Sequence, residues 1–348
     1  RDIVMAMGET GAGIFQLAME RGEIQKMMGV YRSLGELSKK SGRPVTFGSL
    51  SRKKYPGQWK ALYEIIEEEN QQGARIWTQV HSREINSILS FETATPFDNW
   101  DVWKDFRKLP LTEQLQKLKN DPALKRKLIE VADKPYDGPE IVGAEARPPE
   151  WDMFYHVDKI RLPHPSLAQI ARERGITPAA AMVEIAIEND LKAFFRQPLA
   201  NENQDDALEL MKHPRSTVTF SDSGAHVSQI MDSSLQTHLL SHWVREREAF
   251  TLEEAVRLIT YDTSTHWGFH DRGLLREGMT ADITIFDPET VEPRMPEVVH
   301  DLPSGSKRLK QYADGMLATI VAGQTVLKEN QHTGALPGQL LRGPLARA

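Results

Sequence analysis

An aspartate and a histidine four residues apart close the stretch VTFSDSGAH, residues 218–226. Val218, Thr219 and Phe220 are apolar or β-prone, so Asp222 stands just past the end of a predicted buried strand. Parallel α/β folds place their chemistry at that end of a strand. A carboxylate there suits general acid/base work, taking a proton from water and passing it to a leaving group. His226 is spaced to share a pocket with Asp222, either as a metal ligand beside it or as the hydrogen-bond partner that orients it. Ser221, next to the carboxylate, is a candidate substrate contact. A plainer role also exists, because Ser-Asp-Ser-Gly would cap a following helix well.

His81 and Arg83 form a second constellation, directly after the run ARIWTQV, residues 74–80. An arginine there offers a bidentate clamp for a substrate carboxylate. His81 beside it could polarise a carbonyl or complete a metal site. The plainer alternative for both is a surface or subunit contact. His238 and His242 are spaced i, i+4 in HLLSHW, but no glutamate follows the first as in a helical zinc motif, so packing is favoured over metal binding. His156, His266 and His270 read as structural. Trp151, Phe154 and Tyr155 could line an apolar acyl pocket or simply pack a loop.

The elements that must position these residues alternate between strand and helix. A short strand over 11–17 is followed by a helix over 22–41, with Met27, Met28, Tyr31, Leu34 and Leu37 at helical spacing. A strand over 45–50, a helix over 58–72 and the strand over 74–80 repeat the pattern, which predicts βα units on a parallel sheet. The residues before the first strand read as a further buried strand. From Phe91 to about Pro214 runs a long excursion. It has a polar helix over 111–132, a Pro/Gly-rich stretch over 134–150, a strand over 151–157 and helices over 166–174 and 178–195. Thr177-Pro178 supplies a cap and a first-turn proline. After the 218–220 strand, helices are expected over 237–247 and 251–260, the second opened by the capping box TLEE. From Gly273 onward, period-two alternation indicates antiparallel strands, with 302–314 as a loop between them.

Composition narrows the classes. The 348 residues are 40% hydrophobic and 26% charged with net charge −6, and acid and base are interspersed. That balance argues against a nucleic-acid partner or a membrane surface. No apolar run reaches the roughly 20 residues of a membrane helix. The absence of cysteine excludes disulfides and thiolate metal sites within this chain and agrees with a cytoplasmic location. The start, with Arg1 and no signal-peptide order, is read as part of a longer protein.

Four motifs resemble the amidohydrolase superfamily, in its N-acyl-D-amino-acid deacylase (D-aminoacylase) branch. They are FSDSGAH, DRGLLREGMTADITIFD (271–287), EVVHDLPSGSKRL (297–309) and the tail TIVAGQTVLKENQHTGALPGQLLRG (319–343). The resemblance implies an α/β fold: the C-terminal half of a TIM-type (β/α)8 barrel followed by a small β-sandwich segment. Residues 1–270 would form the partial barrel, strands five to eight, with a long helical insertion at about 91–214. Residues 271–348 would form the sandwich return and tail, with Asp282 fixing the turn into the sandwich.

It further implies a metal-dependent hydrolase of a non-peptide carbon–nitrogen bond, an N-acylated amino acid as substrate, and a divalent metal, usually zinc. A homodimer is compatible with the family. Asp222 matches the strand-eight proton carrier. The positions of the family's strand-five and strand-six histidines fall near Leu17 and on Ser49, neither of them such a ligand. The metal is then held by upstream ligands with Asp222, or by His81 or His226 from another direction, or it has been lost. Alternatives to the deacylase are a cyclic-amide or dipeptide hydrolase and a non-catalytic scaffold.

Overall fold

Pro44 opens the most buried strand of a parallel sheet. Proline holds the chain extended, and Val45, Thr46, Phe47 and Gly48 follow with every side buried. The structure, a computed structural model, describes residues 1–18, 24–136, 146–221, 223, 224, 227 and 234–342. A helix, α1 (Asp2–Thr10), precedes the first strand, β1 (Phe15–Leu17). The expected strand at the N-terminus is therefore a helix; IVMAM is too short an apolar run for its period to separate the two. Then come α2 (Ile24–Ser41), β2 (Val45–Gly48), α3 (Gln58–Gln71) and β3 (Ile76–Val80). β1, β2 and β3 pair parallel in that order, with Val45 opposite Ile76 and Gly48 opposite Gln79.

The excursion begins earlier than expected and is not purely helical. β4 (Ile85–Leu89) leaves the parallel sheet almost at once. After α4 (Asp101–Phe106), the predicted 111–132 helix is two, α5 (Leu111–Asn120) and α6 (Pro122–Ala132), split where Asp121 caps the second and Pro122 starts it. β5 (Tyr155–Val157), α7 (Leu167–Arg174), α8 (Pro178–Glu188) and β6 (Phe194–Ala200) complete it. The predicted last helix ends at Glu188, and the last two residues of its expected span, Phe194 and Phe195, open strand β6. β4, β6 and β5 form an antiparallel sheet with β6 central. The caps at Thr177 and Thr251 hold as expected: Thr177 accepts from Ala180 N–H, and the reciprocal Thr251–Glu254 bonds are both made.

The excursion has its own apolar core. Trp103, Phe97, Phe154 and Phe195 are fully buried with Leu118, Leu128 and Met182. Phe97 and Trp103 rings lie 4.8 Å apart, and Trp103 Nε1 donates to the Leu128 carbonyl at 2.8 Å. Trp151 packs on Phe154 at 5.8 Å within the same core, so these residues do not line an acyl pocket.

α9 (Gln204–Lys212) returns the chain to β7 (Ser216–Val218), which pairs parallel with β3. The strand thus lies two residues earlier than the predicted 218–220, although Phe220 N–H still bonds to the Val80 carbonyl at 3.2 Å. A helix over Leu235–Glu246, π-helical from Leu239, packs behind it. The C-terminal part carries β8 (Ile283–Phe286), β9 (Glu292–Pro293), β10 (Glu297–Val299), β11 (Arg308–Lys310), β12 (Ala313–Asp314), β13 (Met316–Val321), β14 (Gln324–Lys328) and β15 (Gln331–His332). β15, β14, β13 and β8 form one antiparallel sheet. The expected 302–314 loop contains β11 and β12, which pair with β10 and β9. Asp282 closes the turn as anticipated: its carboxylate accepts from Ala322 N–H at 2.8 Å and pairs with Arg272.

Candidate active site

Four parallel strands in the order β1-β2-β3-β7 bring their carboxyl ends to one edge. The ladder continues past the strands: Ser49 N–H bonds to the Gln79 carbonyl at 2.9 Å, and Phe220 N–H to Val80. Ser49, His81 and the 219–221 segment therefore share that edge. The sheet below it is polar inside. Thr46, Ser49, Thr78, Gln79, His81 and Ser82 are all buried. Tyr63 sits beneath, its hydroxyl 2.6 Å from both Thr78 Oγ1 and Ser216 Oγ, and burial pushes its pKa up. A buried hydroxyl network of this kind fixes geometry, since each member lost would leave an unsatisfied group.

Gly48 seats the segment that leads to Asp222. A Cβ on Gly48 would come within 2.8 Å of the Phe220 ring, so the bare backbone is what lets Phe220 lie against β2. Asp222 and His226 themselves lie outside the described residues. Ser221 Oγ is 2.6 Å from Ser223 Oγ and accepts from Ser223 N–H at 3.2 Å, so this hydroxyl ties Ser221 to Ser223.

His81 is fully buried, and its Nδ1 lies 3.0 Å from Arg83 N–H. Nδ1 also lies 3.2 Å from the Arg83 carbonyl; a backbone N–H can only donate, so in the arrangement set by the shorter contact Nδ1 accepts and the neutral ring carries its proton on Nε2. In that tautomer Nε2 is a donor suited to a carbonyl oxygen. The guanidinium of Arg83 donates to Ser234 Oγ at 2.9 Å. The 82–83 loop is clamped from behind: Ser82 Oγ donates to the Leu235 carbonyl at 2.7 Å, and Trp243 Nε1 to the Ser82 carbonyl at 2.5 Å. These long-range clamps have no local sequence signal.

Next to Arg83 lies a buried ion pair that the sequence did not disclose. Arg196, on β6, pairs with Glu84, and its Nη1 also donates to Asn86 Oδ1 at 3.1 Å. Its Nε donates to His164 Nδ1 at 3.0 Å, and its guanidinium lies 4.1 Å from the Tyr155 ring centroid. Burial pushes Glu84 up and Arg196 down, each opposed by the other's charge. Burial, with the Arg196 charge second, lowers the His164 pKa to about 4.

His238, His242 and His266 pack against their neighbours. His238 and His242 rings stack at 4.9 Å, and His242 Nδ1 is 3.0 Å from Glu246 Oε2. His266 stacks on Trp77 and bonds to Thr217 Oγ1 at 2.7 Å. Among the described residues no three His, Asp or Glu side chains come together as a metal site. The described side chains thus do not by themselves make up a metal's ligand set. No described helix is long and apolar enough to cross a membrane.

Residues 145–327, more than half of the chain, match the model of the amidohydrolase family. The N-acyl-D-aspartate deacylase of Alcaligenes xylosoxydans xylosoxydans is 31% identical over 176 residues, covering 50% of this chain and 30% of that one. Two solved structures share the mixed α/β fold. One is the N-acyl-D-glutamate deacylase of Bordetella bronchiseptica, complexed with zinc and a phosphonate mimic of the tetrahedral intermediate: TM-score 0.54, 17% identity, 97% of this chain and 58% of that one. The other is a D-aminoacylase: TM-score 0.52, 16% identity, 96% of this chain and 57% of that one. This chain therefore spans somewhat more than half the length of the solved relatives, and their likeness is one of fold.

Proposed function

The chain belongs to the amidohydrolase family, and from that premise we propose that its parallel-sheet edge serves the hydrolysis of a carbon–nitrogen amide bond, with N-acyl-D-amino acids as substrates. The observation that carries the proposal is the convergence of four parallel strand ends on one edge, with His81, Arg83 and the segment leading to Asp222 all along it. In this account β1, β2, β3 and β7 are strands five to eight of a (β/α)8 barrel. Residues 1–270 are its C-terminal half, and 271–348 form the sandwich segment and tail.

Asp222 is the proton carrier. It accepts a proton from water as the water oxygen bonds to the acyl carbon. It then delivers that proton to the amine nitrogen as the C–N bond breaks, which regenerates the carboxylate and consumes one water. His81 Nε2–H donates to the acyl oxygen as negative charge builds there. Arg83 holds the substrate carboxylate, and Ser221 keeps the Asp222 turn in shape. A divalent ion such as the zinc of the Bordetella relative would polarise the carbonyl. Asp222 and His226 are the ligands this chain would offer. The described residues add no third.

Ser49, where the family resemblance calls for a ligating histidine, favours the non-catalytic alternative. A substrate panel on the full-length protein separates the two. The proposal expects amine release from N-acetyl-D-amino acids and little from hydantoins or dipeptides. Release from none of the three classes favours the scaffold.

A further inference from the structure

The chain leaves β6 at a residue in a conformation few side chains adopt. Asn201, directly after Ala200, is fully buried with φ +58°. Asparagine, aspartate and glycine are the types that take this left-handed backbone most readily. Ile85 pairs with Ala200 across β4 and β6, so Asn201 comes beside the loop that precedes β4 and carries Arg83. On its other side is the loop after β2, where Asn201 N–H donates to the Ser51 carbonyl at 2.8 Å.

The side-chain amide completes a bridge. Its Oδ1 accepts from Ser51 N–H at 2.9 Å, and its Nδ2 donates to the Arg83 carbonyl at 3.2 Å. A backbone N–H only donates and a carbonyl only accepts, so these two partners fix which end of the amide is oxygen. The Asn201 carbonyl in turn accepts from Gln204 Nε2 at 2.9 Å. One residue of the excursion therefore ties together the loops that follow Ser49 and His81.

The bond to Arg83 reaches His81. His81 Nδ1 lies 3.0 Å from the Arg83 nitrogen and 3.2 Å from its carbonyl oxygen, so either tautomer of the ring would find a partner on Arg83. Asn201 decides between them. Its amide protons cannot move, and one of them already meets the carbonyl. A ring protonated on Nδ1 would set its N–H against the Arg83 N–H, whereas a ring protonated on Nε2 gives that N–H its acceptor. Without the amide, the carbonyl is short of a donor and the loop is freed to turn it toward the ring.

We infer that Asn201 is a positioning residue: by holding the Arg83 carbonyl it keeps His81 in the tautomer with its proton on Nε2. The inference rests on the amide-hydrolase reading only for what that proton does, which is to donate to the acyl oxygen.

Imidazole NMR of the full-length protein, labelled with 15N at histidine, tests it, with His81 assigned by the signal lost in His81→Gln. The unmutated protein should show His81 protonated on Nε2. Asn201→Asp and Asn201→Gly, both at ease with the positive φ, should shift His81 toward protonation on Nδ1. The aspartate should shift it further, because it places a carboxylate oxygen against the Arg83 carbonyl. In both variants kcat for N-acetyl-D-leucine should fall about tenfold or more with KM little changed, as for an interaction made in the transition state. A His81 already protonated on Nδ1 in the unmutated protein overturns the inference and needs no variant. So does a loss of turnover or stability in the variants with the His81 signal unmoved, which is what a merely structural Asn201 would give. A shifted His81 in the variants, with no hydrolysis by the unmutated protein, would sink the proposed function and leave the role of Asn201 standing.

Discussion

Two neighbouring regions bury their side chains by opposite means. The excursion from β4 to β6 closes over Trp103, Phe97, Phe154 and Phe195, an apolar core whose members gain from being dry and close-packed. The edge of the parallel sheet buries Thr46, Ser49, Thr78, His81 and Ser82, groups that gain nothing from dryness and must be met by hydrogen bonds. One region contributes stability and tolerates any well-packed apolar set. The other fixes directions, which stability alone would not require, and its residue types suit proton and carboxylate chemistry. Changes in the first should therefore unfold the protein, and changes in the second should disarm it.

The sharpest way to break this contrast is Trp103→Ala. Removing a fully buried indole whose N–H is also bonded should cost about 3–5 kcal/mol, read from denaturant midpoints at unchanged slope. A loss below about 1 kcal/mol would mean that the excursion core is not the stabilising unit. Next comes Glu84→Gln, at the seam between the regions. It leaves the Arg196 charge buried without its counter-charge, so a loss of about 3 kcal/mol is expected. Adding Arg196→Met to Glu84→Gln should recover part of it, and no recovery would refute the pairing argument.

A third test is the pH dependence of His164. Its folded pKa of about 4 lies below its ordinary 6.5. Between those values the unfolded chain binds more protons than the folded one, so stability should fall as pH drops from 6.5 toward 4. His164→Gln should flatten that slope in unfolding measurements across this window. An unchanged slope would show that His164 is not held neutral.

Much of the sheet was legible in the sequence because its signals are local. Apolar runs bounded by Gly42-Arg43-Pro44 and Gly73 marked β2 and β3, and Thr177-Pro178 and Thr251/Glu254 marked two helix starts. β4 and β6 were missed because their logic is not local. INSIL and FFRQPLA interrupt their apolar residues with Asn86, Ser87, Arg196, Gln197 and Pro198, which argue against a buried strand. Arg196 becomes acceptable only through Glu84, 112 residues away. Pro198 becomes acceptable at the irregular register beside Asn86. His81 and Arg83 were singled out by their place after a strand, and the structure does place them just past β3. The Glu84–Arg196–His164 cluster was not, since its members are scattered along the chain. Of the two readings left open for Trp151 and Phe154 the structure shows packing; aromatic content alone does not distinguish a ligand wall from a core.

The account turns on Asp222 as the proton carrier of amide hydrolysis, and Asp222→Asn in the full-length protein tests it most directly, with N-acetyl-D-leucine turnover and the unfolding midpoint measured on the same sample. The account predicts turnover reduced by about a thousandfold or more, as for loss of an essential acid/base group, with the midpoint essentially unchanged. Turnover retained within a few-fold would contradict it.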